Sequence, residues 1–142
     1  MMHHLTVRSA SIVAALAALI LFGLPHNMAA QNYNCLCDHI TINVDLAVAC
    51  KVTFCVLPPN GAKNCVTIAP GTRGSAPCIS GAVLGFRDCH GNLVTYDPTI
   101  PCQLGIGVGP NCCTIDACAS TDVNGCLVIN VRPSILDVCP CL

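Results

Sequence analysis

The abundance of cysteine limits the possible folds of this chain more than any other feature of its sequence. Fourteen of the 142 residues are Cys, and all of them lie beyond residue 34. An even number of cysteines in an exported chain is typical of a disulfide framework, in which each bond adds roughly 2–4 kcal/mol to stability. The disulfide candidates are Cys35, Cys37, Cys50, Cys55, Cys65, Cys78, Cys89, Cys102, Cys112, Cys113, Cys118, Cys126, Cys139 and Cys141.

The first 30 residues have the pattern of a secretory signal peptide. Arg8 precedes an apolar run that ends at Leu24, and Pro25, a polar pair and the small residues Ala29 and Ala30 follow. The run is roughly 15 residues long, whereas a helix that spans a bilayer needs ~20. We expect cleavage after Ala30, with an uncleaved anchor as the alternative. Residues 31–142 then form a single disulfide-stabilised β domain that is secreted, or is periplasmic or on the cell surface in a bacterium.

The charge after residue 30 is small and slightly negative. Five Lys and Arg oppose seven Asp, a net of −2, and the chain contains no Glu. A nucleic-acid binder needs clustered cations to displace counterions from phosphate, and a basic membrane-surface helix needs them too. We therefore expect neither nucleic acid nor, after signal cleavage, a membrane as a partner.

The apolar residues follow the two-residue period of β-strands, and no segment shows a sustained helical period. Pro, Gly and Asn turns separate the runs, so we predict an all-β fold: a small disulfide-rich antiparallel β-sandwich of about seven strands, immunoglobulin-like or similar, with a barrel as the alternative. The immunoglobulin Trp is absent, since the chain has no Trp. The predicted strands are Ile40–Val48, Val52–Leu57, Cys65–Ile68, Ala82–Arg87, Leu93–Tyr96, Gln103–Val108 and Cys126–Val131.

Two Cys-x-Cys pairs lie near the two ends of the mature chain, at Cys35/Cys37 and Cys139/Cys141. The first and last strands of a sandwich are often neighbours, which favours bonds within one molecule. The alternative is that these four cysteines form intermolecular bonds in a covalent polymer. The strand Ile40–Val48 is then a suitable edge for β-augmentation between subunits.

Metal binding is the rival interpretation of the cysteines. Cys35, Cys37 and His39 offer two thiolates and an imidazole within five residues. Structural zinc sites usually contain Cys-x2-Cys, which occurs nowhere in this chain. We therefore predict no metal site and no cofactor.

Catalytic residues are sparse as well. After residue 30 the only histidines are His39 and His90, so an enzyme would need one of them to meet an Asp and a Ser in space. We predict no enzyme and no catalytic residue. The serines that lack a nucleophile-elbow context are Ser75, Ser80, Ser120 and Ser134.

These observations favour a secreted, non-enzymatic structural or cell-surface protein, a subunit of a disulfide-cross-linked extracellular assembly or an adhesin. Its partners would be further copies of itself, or an extracellular protein or glycan. The alternative is a monomeric secreted binding module, such as a protease inhibitor or a recognition domain. It would act through the Pro- and Gly-rich loops Pro58–Asn64 and Pro70–Pro77, with Arg73 at a loop tip.

Overall fold

The computed structural model describes residues 35–109 and 114–136, and every regular element in these ranges is a β-strand. This confirms the all-β prediction, while the predicted signal peptide lies outside the described residues. In chain order the strands are β1 (His39–Val44), β2 (Val52–Leu57), β3 (Asn64–Ile68), β4 (Arg73–Pro77), β5 (Val83–Arg87), β6 (Leu93–Tyr96), β7 (Cys102–Gly107), β8 (Thr114–Thr121) and β9 (Leu127–Pro133).

The strands form two sheets. The five-stranded sheet has the order β4-β1-β9-β8-β7, and the four-stranded sheet has the order β3-β2-β5-β6. Hairpins join β2 to β3, β5 to β6, β7 to β8 and β8 to β9 within a sheet, whereas the other connections pass from one sheet to the other. The first and last strands are neighbours, and they run parallel, with Ile42 opposite Ile129.

Side chains from both sheets form one apolar core. Ile40, Ile42 and Val44 alternate inward along β1, as the two-residue period requires. In the four-stranded sheet, the ring of Phe86 packs edge-on against two other rings, at centroid distances of 5.3 Å to Phe54 and 5.5 Å to Tyr96. The core is therefore mostly aliphatic, with one aromatic row.

The outer strands β3 and β4 bring the two sheets together at one side of the molecule. A turn joins them, in which the Thr72 amide donates to the Ala69 carbonyl at 3.2 Å and Gly71 has a φ of 77°. At Gly74 a Cβ would lie 2.4 Å from Cγ1 of Ile68, so only glycine allows β4 to approach β3 this closely.

Several predictions about the strands were wrong. The strand predicted for Ile40–Val48 ends at Val44, because Asp45 accepts hydrogen bonds from the amides of Ala47 and Val48 and turns the chain. It is also no edge, since β1 pairs with both β4 and β9. The segment Pro70–Pro77, predicted as a loop, contains β4, and β8 was not predicted at all.

The strand order also differs from that of an immunoglobulin domain. In a constant-type domain the first two strands lie side by side in one sheet. Here β1 and β2 belong to different sheets, and the β1–β9 pair departs from the predicted antiparallel arrangement. Every other strand pair in the described ranges is antiparallel.

Candidate functional site

Two disulfide bonds attach the segment before β1 to the strands on either side of it. Cys35 is bonded to Cys78, directly after β4, with a Cα–Cα distance of 5.6 Å. Cys37 is bonded to Cys126, directly before β9, at 5.4 Å. Two of the four cysteines considered for intermolecular bonds are thus bonded within the chain. The other two, Cys139 and Cys141, lie outside the described residues.

Two further bonds join residues that face each other across hairpins. Cys55 is opposite Cys65 in the β2–β3 pair, and Cys102 is opposite Cys118 in the β7–β8 pair. Their Cα–Cα distances are 4.1 Å and 4.0 Å. Since Cys55 is bonded to Cys65, it is not bonded to Cys50.

All ten cysteines in the described ranges, Cys50 and Cys89 included, are disulfide-bonded. Cys112 and Cys113 lie outside these ranges. Such a set of bonds is typical of proteins that fold in an oxidising, extracellular environment. Within the described part of the chain, no group of three or more His, Cys, Asp or Glu residues could hold a metal ion.

Aspartates organise the turns. In the β5–β6 turn, Oδ1 of Asp88 accepts hydrogen bonds from the amides of His90 and Asn92, at 2.9 and 2.8 Å. In the β8–β9 turn, Oδ1 of Asp122 accepts equivalent bonds from Asn124 and Cys126, at 2.9 and 3.0 Å. These carboxylates therefore stabilise the two hairpin turns, which is a common role of aspartates in turns.

Asp116 is the one charged side chain buried within the described residues. Its two oxygens accept the amide hydrogens of Gly105, in β7, and of Ile135, after β9, at 3.0 and 3.2 Å. Nε of Arg132 lies 3.7 Å from Oδ2. Burial acts to raise the pKa of Asp116, but the hydrogen bonds from Ser134, Gly105 and Ile135, together with the Arg132 charge, outweigh it and lower the pKa below its ordinary value.

Both histidines of the described residues, His39 and His90, are exposed. Nδ1 of His39 lies 2.8 Å from Oδ1 of the exposed Asp38, and this hydrogen bond lowers the pKa of that carboxyl. His90 is exposed in the β5–β6 turn, beside a groove of about 280 Å³ that also borders β7. No serine hydroxyl in the described ranges hydrogen-bonds to either imidazole. Ser120 instead accepts from Asn130, and Ser134 accepts from the Leu136 amide.

A second groove of about 230 Å³ lies on the outer face of the four-stranded sheet, and we call it the basic groove. It is lined by Lys51, Thr53, Thr67, Arg87, Asp88 and Gly109. The Thr53 and Thr67 hydroxyls are hydrogen-bonded to each other at 2.9 Å, across β2 and β3. One nitrogen of the Arg87 guanidinium lies 3.7 Å from Sγ of Cys65.

The two segments predicted to be binding loops differ in their structure. Pro58–Asn64 forms the mostly exposed turn after β2, and its last residue is the first of β3. Arg73 is exposed but is the first residue of β4, opposite Asn43, and not the tip of a loop.

Sequence reasoning missed both Asp116 and the basic groove. The groove residues come from separate strands and share no motif. Asp116 alternates with the buried Ile115 and Ala117, a pattern that indicates a solvent-facing side chain.

Comparison with known proteins gives no relative: no family model matches the chain, and no curated protein or solved structure matches it significantly. Among the described residues, no helix is long and apolar enough to cross a membrane.

Proposed function

We propose that the chain is a secreted, non-enzymatic structural or cell-surface protein, a subunit of an extracellular assembly built on a disulfide-stabilised β-sandwich. The observation that carries this proposal is the bonding of all ten described cysteines. Two of the bonds link the segment before β1 to the strands that flank β1. Two others link the paired strands of a hairpin. Such a framework suits a protein that must persist outside the cell, because it limits the local opening that exposes a chain to proteases.

Exposed apolar side chains support association between copies. Leu36 and Val123 are 74% and 100% exposed. They lie on the same side of the molecule, because a Cβ added at Gly125, in the turn that contains Val123, would be 3.3 Å from Cδ1 of Leu36. Leu104 and Leu136 are 43% and 51% exposed. Apolar side chains grouped at the surface are typical of association sites.

The assembly proposed here is held together mainly by non-covalent contacts. Cys35 and Cys37 are bonded within the chain, so covalent cross-links through them would first require disulfide exchange. A covalent polymer through Cys139 and Cys141 remains the second form of the proposal. The monomeric binding module has weaker support, because one of its two proposed loops, Pro70–Pro77, is largely strand.

The test combines gel electrophoresis, intact mass and sedimentation on the mature secreted protein. We expect a monomer band without reductant, and concentration-dependent association in sedimentation velocity. A ladder of bands that collapses on reduction would favour the covalent form. A monomer at every concentration would overturn the assembly proposal and favour the binding module.

A further inference from the structure

The basic groove has the composition of an anion-binding site. We propose that it binds the carboxylate or sulfate groups of an acidic polysaccharide, a binding function that goes beyond the proposed structural role. Two of the five cationic side chains that follow residue 30, Lys51 and Arg87, line this one groove of about 230 Å³. Their convergence, in a part of the chain after residue 30 whose net charge is −2, makes the groove a local positive region.

Neither cation is neutralised by a carboxylate within the described residues. The only ion pairs there are His39–Asp38 and Arg132–Asp116. Within the described residues, the side-chain hydrogen bond of the Arg87 guanidinium is to Sγ of Cys65, a weak acceptor at 3.7 Å. A guanidinium carries five N–H donors in a planar fork that matches a carboxylate or sulfate, so most of its donors remain available to a ligand.

The threonine hydroxyls supply a further neutral donor. Thr53 and Thr67 are hydrogen-bonded to each other at 2.9 Å, and each hydroxyl has one hydrogen to donate. One threonine donates to the other, and the second threonine keeps its hydrogen for an oxygen of the ligand. Cations together with a hydroxyl are a donor set suited to an oxyanion on a sugar.

Asp88 also lines the groove, but its carboxylate is already engaged. Its Oδ1 accepts the amides of His90 and Asn92 in the β5–β6 turn. These two hydrogen bonds direct that oxygen toward the backbone, and the two cations that line the groove outnumber its one carboxylate.

The small number of cations in the chain favours a sparsely charged ligand over a densely charged one. A densely charged polymer such as a nucleic acid requires many cations along its path, and the chain after residue 30 has five. A polysaccharide with one carboxylate or sulfate per sugar can place a single oxyanion in the groove and lay neutral hydroxyls along the sheet. The location of such a polysaccharide outside the cell also agrees with the oxidising environment that the disulfide framework indicates.

The test is a titration of the isotope-labelled mature protein with a uronic-acid hexasaccharide, followed by NMR chemical shifts. A neutral glucan hexasaccharide serves as the control ligand. We expect the amides of Lys51, Thr53, Thr67 and Arg87 to shift with the uronate and not with the glucan. Added salt should weaken the binding.

Matched charge variants separate this site from general attraction. Lys51→Ala and Arg87→Gln should each weaken binding by about fivefold, the upper range of an exposed ion pair. Lys63→Ala removes the same charge as Lys51→Ala, but from an exposed position directly before β3, at the end of that strand away from Thr67. It should change binding less than twofold, which is about the scale of long-range screened attraction. The spectrum of each variant reports whether it is folded.

Three results would overturn the proposal. They are no shift in the groove, equal shifts with the neutral glucan, and equal losses for Lys51→Ala and Lys63→Ala. Self-association is measured without any polysaccharide. The outcome of the titration is therefore independent of the test of the proposed structural role.

Discussion

The side chain of Asp116 shows how a single polar residue can join three parts of this molecule. It lies in β8 and faces away from the apolar core, yet it is fully buried. Beside it, β7 has a register shift between Gln103 and Ile106, and the amide of Gly105 in this bulge donates to the carboxylate. The amide of Ile135 donates from the segment after β9. Asp116 therefore satisfies backbone donors that the regular pairing of strands leaves open.

Replacing Asp116 with Asn should alter how stability depends on pH. The native pKa lies below the ordinary value of 3.8, so the ionised form stabilises the fold fully above about pH 4, near the pKa of an Asp in an unfolded chain. That contribution is lost as the pH falls through the native pKa. We expect Asp116→Asn to lower the free energy of unfolding by about 1–3 kcal/mol at neutral pH.

Urea unfolding of both proteins between neutral and acidic pH measures this effect. The gap between wild type and variant should narrow as the pH falls. A gap that stays constant with pH would show that the charge of Asp116 contributes nothing.

At the scale of the strand, β1 depends on covalent bonds at its start. The Cys-x-Cys segment sends one bond to the end of β4 and one to the start of β9, so β1 is clamped between its two neighbours. Two cysteines separated by one residue are bonded to different strands because β1 lies inside its sheet, between β4 and β9. The bond between Cys55 and Cys65 has a different role, since it joins strands already connected by a short turn.

The two kinds of bond should differ in their effect on stability. Cys37–Cys126 has a sequence separation of 89 residues, against 10 for Cys55–Cys65, and a larger loop loses more entropy when it is closed. The other bonds shorten the larger loop, which reduces the difference. We expect the double variant Cys37→Ala/Cys126→Ala to be less stable than Cys55→Ala/Cys65→Ala by about 1 kcal/mol.

Guanidinium unfolding of the two double variants tests this expectation. Intact mass first verifies that the remaining bonds have formed in each. Equal stability, or greater loss for the hairpin bond, would contradict it.

At the scale of the whole molecule, stability depends on how closely the two sheets approach. Their edges meet where β4 passes β3, with Gly74 against Ile68. Ile68 is 3% exposed and belongs to the core, so it has little room to move. The absence of a side chain at Gly74 therefore allows the core to close on this side.

Adding a methyl group at this point should destabilise the protein. In Gly74→Ala the new Cβ would meet Cγ1 of Ile68 at 2.4 Å, and overpacking of this kind costs about 1–3 kcal/mol. Ser75→Ala, at the next and exposed position of β4, is the control and should change stability by less than about 0.5 kcal/mol. Thermal unfolding followed by circular dichroism compares the two, and equal melting temperatures would contradict the close contact of the sheets.

The success of the sequence reasoning varied with the strength of the local pattern. Val52–Leu57 and Leu93–Tyr96 were predicted with their correct bounds, because β-branched and aromatic residues end there at turn residues. β4 was missed because Arg73–Pro77 contains Gly and Pro and only one buried apolar side chain. β8 was missed because two of its inward residues are alanines and its buried Asp116 has the sequence pattern of a solvent-facing residue.

By itself, the sequence determined the β-strand class of this protein, most of its turns and the predominance of disulfide bonds. These follow from residue type and from a period of two, which are local properties. The pairing of the cysteines, the order of the strands and the charged side chains that share a groove became known from the three-dimensional arrangement. Two cysteines can bond only when their Cα atoms lie within about 7 Å, and that distance depends on the arrangement of strands remote in the chain. Lys51 and Arg87 line one groove for the same reason: the pairing of β2 with β5 brings together residues that nothing in the local sequence connects.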